Sequence, residues 1–244
     1  MRFTDKVCLV TGGTSGIGRA ACVRLGAEGG TVIALGRSKP DGAETVRIIK
    51  AAGGQAVFIS CDLSKPANIA ATVKKVLAKY HRVDVLVCDA AMMTFEPLVD
   101  LPLAKWDLLM LVNLRSMAQL TQLCLPHMPK GSAIVAISSV HAHQTTASVV
   151  SYATSKGGLE AFVRGMSCEL DYRQTRINAV APGAVDTPML WDNPNVKNGI
   201  EKIDRATVGQ PEELAAAIAF MASSEASFVH GTTLVVDGGL LAQL

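Results

Sequence analysis

The most restrictive feature of this sequence is an alternation. Short apolar runs, mostly rich in Val and Ile, occur at 7–11, 32–35, 56–60, 83–88, 133–138, 177–181 and 234–236, and most stop at Gly, Ser or Asp. Segments of helical character separate them at 16–28, 42–52, 67–79, 103–125, 152–172 and 211–223. The last opens with Pro211, Glu212 and Glu213, a helix start that sets negative charge at the positive end of the dipole. Strands alternating with helices predict a doubly wound, Rossmann-type α/β domain, a parallel sheet covered on both faces. Composition agrees: apolar residues make up 49% and aromatics only 5%, as expected of aliphatic strands buried between helices. No repeat and no linker-like tract divides residues 1–244, which read as a single domain. Residues 186–209 break the alternation with Pro188, Trp191, Asn193 and Pro194. They read as an insertion over one end of the sheet, a substrate-covering segment.

The same numbers exclude several classes. A chain of 244 residues with only 18% charged side chains is neither disordered nor in need of a disulfide or metal staple. Its net charge of +2 does not suggest a nucleic-acid or membrane partner. The apolar run at 214–222 is far shorter than the roughly 18 residues of a membrane span. Cys8, Cys22, Cys61, Cys88, Cys124 and Cys168 are scattered, without a C-x-x-C pair, and no signal peptide is evident. The expectation is a reducing, cytoplasmic location.

The first apolar run leads into Thr11-Gly12-Gly13-Thr14-Ser15-Gly16-Ile17-Gly18 and then a helix. Gly12, Gly16 and Gly18 suit a tight turn, close approach of backbone to a pyrophosphate, and close helix packing. The free amides and dipole of the helix start attract phosphate. Further along, Tyr152 and Lys156 stand four apart at a helix start, so they share a face. Ser139 lies thirteen residues before Tyr152, just past an apolar run, which sets it at the carboxyl edge of the sheet.

These motifs resemble the short-chain dehydrogenase/reductase family. The resemblance runs through the whole chain, from the Thr11 loop through Asn113, Ser139, Tyr152 and Lys156 to Pro182-Gly183 and Val236-Asp237-Gly238-Gly239. It implies an NAD(P)-dependent oxidoreductase that moves a hydride between a nicotinamide and a small-molecule carbonyl or secondary alcohol. It also implies a homotetramer that packs two long helices and the C-terminal strand across subunits, consistent with the apolar tail Leu240-Leu241-Ala242. Tyr152 would be the general acid/base, Ser139 would bond the substrate oxygen, and Lys156 would bind the ribose and lower the Tyr152 pKa. A shift of about 3 units needs roughly 4 kcal/mol, which lysine, oxidised nicotinamide and helix dipole together can supply. Asn113 would steady a proton-relay water; its plain alternative is a backbone bond that bends the helix.

Cofactor preference is read from Gly36-Arg37, where an acidic residue would hold the ribose hydroxyls. A guanidinium there favours NADP(H), with NAD(H) still compatible if Arg37 stacks on adenine or is a solvated loop charge. Asp62 and the adjoining Leu63 resemble the adenine-binding segment, with Asp62 alternatively capping a turn. Ala90, Pro182, Gly183, Val185 and Thr187 resemble the lining of the nicotinamide site. The segment Cys88-Asp89-Ala90-Ala91 departs from the Asn-Asn-Ala-Gly usual in relatives. It is the one support for an alternative, a catalytically weak nucleotide-sensing protein. His141, His143, Met189 and Trp191 are candidates for substrate contact, with Met92, Met93 and Phe95 as further apolar wall. His-x-His lacks a third ligand, so no metal site is expected.

Overall fold

The structure, a computed structural model, describes residues 1–199 and 201–243. Seven parallel strands form one sheet: β1 (Val7–Thr11), β2 (Thr31–Gly36), β3 (Gln55–Ser60), β4 (Val85–Cys88), β5 (Ser132–Ile137), β6 (Thr175–Pro182) and β7 (Thr233–Val236). Their spatial order is β3-β2-β1-β4-β5-β6-β7, so the direction of winding reverses between β1 and β4. Helices α1 (Gly16–Ala27), α2 (Lys39–Ala51), α3 (Pro66–Tyr80), α4 (Leu103–Met110), α5 (Ser116–Cys124) and α6 (Val150–Glu169) form most of the connections. Two single-turn helices, α7 (Pro188–Trp191) and α8 (Pro194–Lys197), precede α9 (Pro211–Ala222).

The strands are buried on both faces, and alternate residues feed two cores. Leu9, Ile33, Leu86, Ile134 and Ile177 pack with Val73, Leu120 and Leu159 on one face. Val10, Val32, Val85 and Val135 pack with Leu25, Ile49 and Ile218 on the other. The helix expected over 103–125 is not uniform. Leu111–Arg115 forms a π-turn between α4 and α5, with Asn113 at its centre. The stretch Leu103–His127 has the length and hydropathy of a membrane span. In this fold its buried side, with Met117, Leu120 and Cys124, lies against the sheet core.

Residues 186–209 leave after β6 and return to it: Asp186 N–H donates to Gly209 O at 2.9 Å, and Gly209 N–H to Ala184 O at 3.0 Å. Inside this excursion, Thr187 and Asn193 cap the two short helices with their side chains.

Candidate active site

The winding reversal opens a crevice at the carboxyl ends of the strands, where ligands bind in such sheets. Its floor is tied across the switch point, because Asp89 N–H and Ala90 N–H both donate to Thr11 Oγ1, at 3.0 and 3.1 Å. The resulting cleft has a volume of about 740 Å³ and is lined by Gly12, Thr14, Ser15, Gly16 and Ile17 along one wall. Gly12 has φ +71°, and a Cβ there would sit 2.6 Å from Asp89 Oδ2. Gly18 is buried, outside the cleft wall; a Cβ on it would meet Gly12 O at 2.3 Å. It serves the close helix packing expected of the glycine turn, letting α1 pack under it. Ser15 makes no side-chain cap to α1 and the first turn carries no acid of its own; Asp89 takes the Gly18 N–H, and the Gly16 and Ile17 N–H groups ahead of it face an anion. That uncapped helix start and crowded glycine turn fit a dinucleotide pyrophosphate.

Exposed Arg37, with Asp62 and Leu63, also lines the cleft. Gly36 lies so close to Thr14 that a Cβ would be 2.5 Å from Thr14 Cγ2, so an acidic side chain has no room there. Asp62 Oδ1 accepts from Ser64 N–H at 3.0 Å and from Ser64 Oγ at 2.7 Å, capping its turn while lining the cleft. Ala90, Pro182, Gly183, Val185 and Thr187 line the opposite end with Ser139, Tyr152 and Lys156.

Tyr152 and Lys156 occupy successive turns of α6 and are both buried. Lys156 Nζ donates to Ile137 O at 2.6 Å and stands 5.5 Å from the Tyr152 ring centroid. Burial pushes Tyr152 up to about 12; a bond from the Ser139 hydroxyl opposes the rise, and the Asp89 charge adds to it. Burial likewise lowers Lys156, against the attraction of Asp89. Ser139 faces Tyr152, whereas its neighbour Ser138 bonds Glu160. Asn113 is buried but is not part of the cleft wall. Its Oδ1 accepts from Met92 N–H and its Nδ2 donates to Met92 O, both at 2.9 Å, with Ser155 Oγ at 3.0 Å. The backbone bond expected of it thus ties a distant loop rather than its own helix. The turn around it, Leu111–Arg115, is a π-turn, a feature frequent at functional sites.

The substrate candidates divide. His141 and Met189 line the cleft, as do Met92 and Met93. His141 meets Tyr152 edge to face at 5.8 Å, and burial lowers its pKa, with Glu201 opposing. His143 and Trp191 lie outside the cleft wall, as does Phe95. His143 turns to Glu160 at 3.2 Å, and Trp191 bonds Asp186 at 2.5 Å beneath the Arg205 guanidinium. Residue type alone could not distinguish a loop side chain turned inward from one turned sideways.

Asp89 lines the cleft beside the glycine turn, and burial raises its carboxyl above the usual range, opposed by Lys156 and the Gly18 N–H. Glu160 escaped notice in the sequence, although it repeats the four-residue step from Tyr152 to Lys156. Asn193, Glu201 and Leu108 also line the cleft and had no local signal. Among the described residues, no cluster of three or more His, Cys, Asp or Glu side chains is arranged for a metal.

A family model described as Enoyl-(Acyl carrier protein) reductase matches residues 12–241. The chain is 36% identical over 245 residues to the 3-oxoacyl-acyl-carrier-protein reductase FabG of Thermotoga maritima, covering 99% of this chain and 100% of the relative. It is 35% identical over 249 residues to a cyclopentanol dehydrogenase of Comamonas sp., covering 99% of each. Among solved structures, a short-chain dehydrogenase of Burkholderia cenocepacia in complex with NADP superposes with a TM-score of 0.90 at 31% identity, over 98% of both chains. Matched along its whole length in sequence and in fold, the chain belongs to the short-chain dehydrogenase/reductase family and is an NAD(P)-dependent oxidoreductase.

Proposed function

We propose that the protein interconverts a ketone and a secondary alcohol, with Tyr152 as general acid/base and NADP(H) as the preferred cofactor. The observation that carries this reading is the convergence of Ser139, Tyr152 and Lys156 at one end of a cleft whose other end holds the uncapped α1 start. A bound nicotinamide cofactor supplies or takes up the hydride. Gly12, Gly16 and the α1 N-terminus hold its pyrophosphate, and Lys156 its ribose. Ser139 Oγ bonds the substrate oxygen. Tyr152 gives its proton to that oxygen in reduction and takes one back in oxidation. Positive charge on the oxidised cofactor, added to Lys156, offsets the burial that raises the phenol. Arg37 supports NADP(H), as do the NADP complexes of the neighbours, while Gly36 offers no carboxylate to the ribose. Asn113 steadies the proton exit by holding the Met92 backbone.

The wall of Met92, Met93 and Met189 with His141 suits a largely apolar substrate that carries a second polar group. Residues 186–209 cover it. Six unpaired thiols agree with a cytoplasmic site of action. A panel of cyclic alcohols, steroids, polyols, sugars and keto esters, run with both cofactors, tests the reading. Turnover of secondary alcohols, faster with NADP, is expected. Cofactor binding without turnover of any of them would favour the sensing alternative.

A further inference from the structure

Helix α6 carries a third polar residue on the face of Tyr152 and Lys156. Glu160 follows Lys156 by four residues, is 5% exposed, and points the same way. The proposed chemistry makes no use of it. A buried carboxylate without partners is costly, so its contacts show what it is held for. Both end on one oxygen. Ser138 Oγ donates to Glu160 Oε1 at 2.7 Å, and His143 Nε2 approaches the same Oε1 at 3.2 Å.

These contacts span the segment that carries Ser139. The backbone of Ser138 is held from the sheet side, where its N–H donates to Val180 O at 2.7 Å. Lys156 Nζ holds the preceding residue through Ile137 O. Glu160 then grips the Ser138 side chain and, five residues on, His143, closing a loop around Ser139 and the short turn Val140–Ala142. Three turns of one helix thus contact the segment through Tyr152, Lys156 and Glu160. Ser138 is anchored on Glu160, while Ser139, one residue later, accepts from His141 N–H at 3.2 Å and meets Tyr152 with its hydroxyl.

We propose that Glu160 is the positioning residue of the active site. By accepting from Ser138 and standing against the His143 imidazole, it fixes the register between the segment carrying Ser139 and the helix carrying Tyr152. This rests on the assignment of Ser139 and Tyr152 to the chemistry. Orientation dominates such steps, and a displacement of about 1 Å in a reacting group costs on the order of a hundredfold in rate. The residue acts through Ser139 and leaves the cofactor site untouched.

Three variants test it. S138A removes the donor without adding bulk, E160L removes the acceptor, and E160Q keeps an oxygen able to accept from Ser138 while discarding the charge. For S138A and E160L, kcat falls by roughly tenfold or more, while cofactor Kd stays within about twofold. E160Q retains at least about a third of wild-type kcat. Wild-type kcat in S138A would overturn the proposal. So would E160Q as slow as E160L, or kcat and cofactor affinity lost together. If E160L does not fold, S138A and E160Q decide the matter. Y152F is run alongside: an active Y152F refutes the underlying assignment, whereas an inactive Y152F with unimpaired S138A refutes only the role of Glu160.

Discussion

Burial holds the Tyr152 phenol near 12, yet the proposed chemistry needs its proton to move near neutral pH. A general acid/base contributes roughly 100- to 10,000-fold, so Y152F should lose at least about a thousandfold in kcat, with cofactor Kd, read by fluorescence quenching, nearly unchanged. Arg37 is the residue where cofactor choice is concentrated. Arg37→Ala should weaken NADP binding by about tenfold, the scale of a charge-assisted phosphate contact, and leave NAD binding unchanged. An unaltered ratio of the two affinities would remove Arg37 from the argument. Asp89 makes a separate prediction about stability. Burial raises its carboxyl above the ordinary value in the folded protein. As pH climbs past about 4, the unfolded chain ionises this group freely while the folded chain resists, so stability is lost on the alkaline side. Asp89→Asn should therefore raise the melting temperature by several degrees at pH 8, with the gain shrinking toward pH 4. A gain that is equal at both pH values would point to packing instead of charge.

At the scale of elements, the turn from β1 into α1 depends on Gly18 as much as on the glycines that face the cleft. A methyl group there would collide with the Gly12 carbonyl, which is backbone and cannot swing aside. Gly18→Ala should displace the turn and weaken cofactor binding by roughly tenfold or more, measured by titration, since even a 1 Å shift disturbs a preorganised site. The helix α6 was legible as the carrier of Tyr152 and Lys156 from their four-residue spacing. Glu160 continues the same spacing, but nothing in the sequence said that its partners, Ser138 and His143, would meet it from 22 and 17 residues away. The π-turn around Asn113 was also hidden. It contains neither Gly nor Pro, and Asn113 at its centre holds the Met92 backbone, a contact made only in the folded chain.

Across the whole molecule, two of the places where apolar side chains remain exposed bear on assembly. Leu98, Val99 and Leu103 are 56%, 91% and 75% exposed at and before the start of α4, and Val235 and Leu240 lie on or just past the edge strand β7. Exposed apolar surface at a helix pair and a sheet edge is what assembly would cover. The expected outcome is a tetramer by light scattering at micromolar concentration, with L103E shifting it toward smaller species; a wild-type monomer would refute the assembly. The sequence by itself determined the sheet-and-helix alternation, the single domain, the glycine turn and the Tyr-Lys face. Each of these rests on local spacing: period two in strands, period 3.6 in helices, and glycine where the backbone crowds. The tertiary structure decided which loop side chains face the cleft, Met189 but not Trp191, and that Ser138, beside Ser139, is taken up by Glu160. It also decided the direction of the Tyr152, Lys156 and Asp89 pKa shifts, because desolvation depends on neighbours that the chain brings together only by folding.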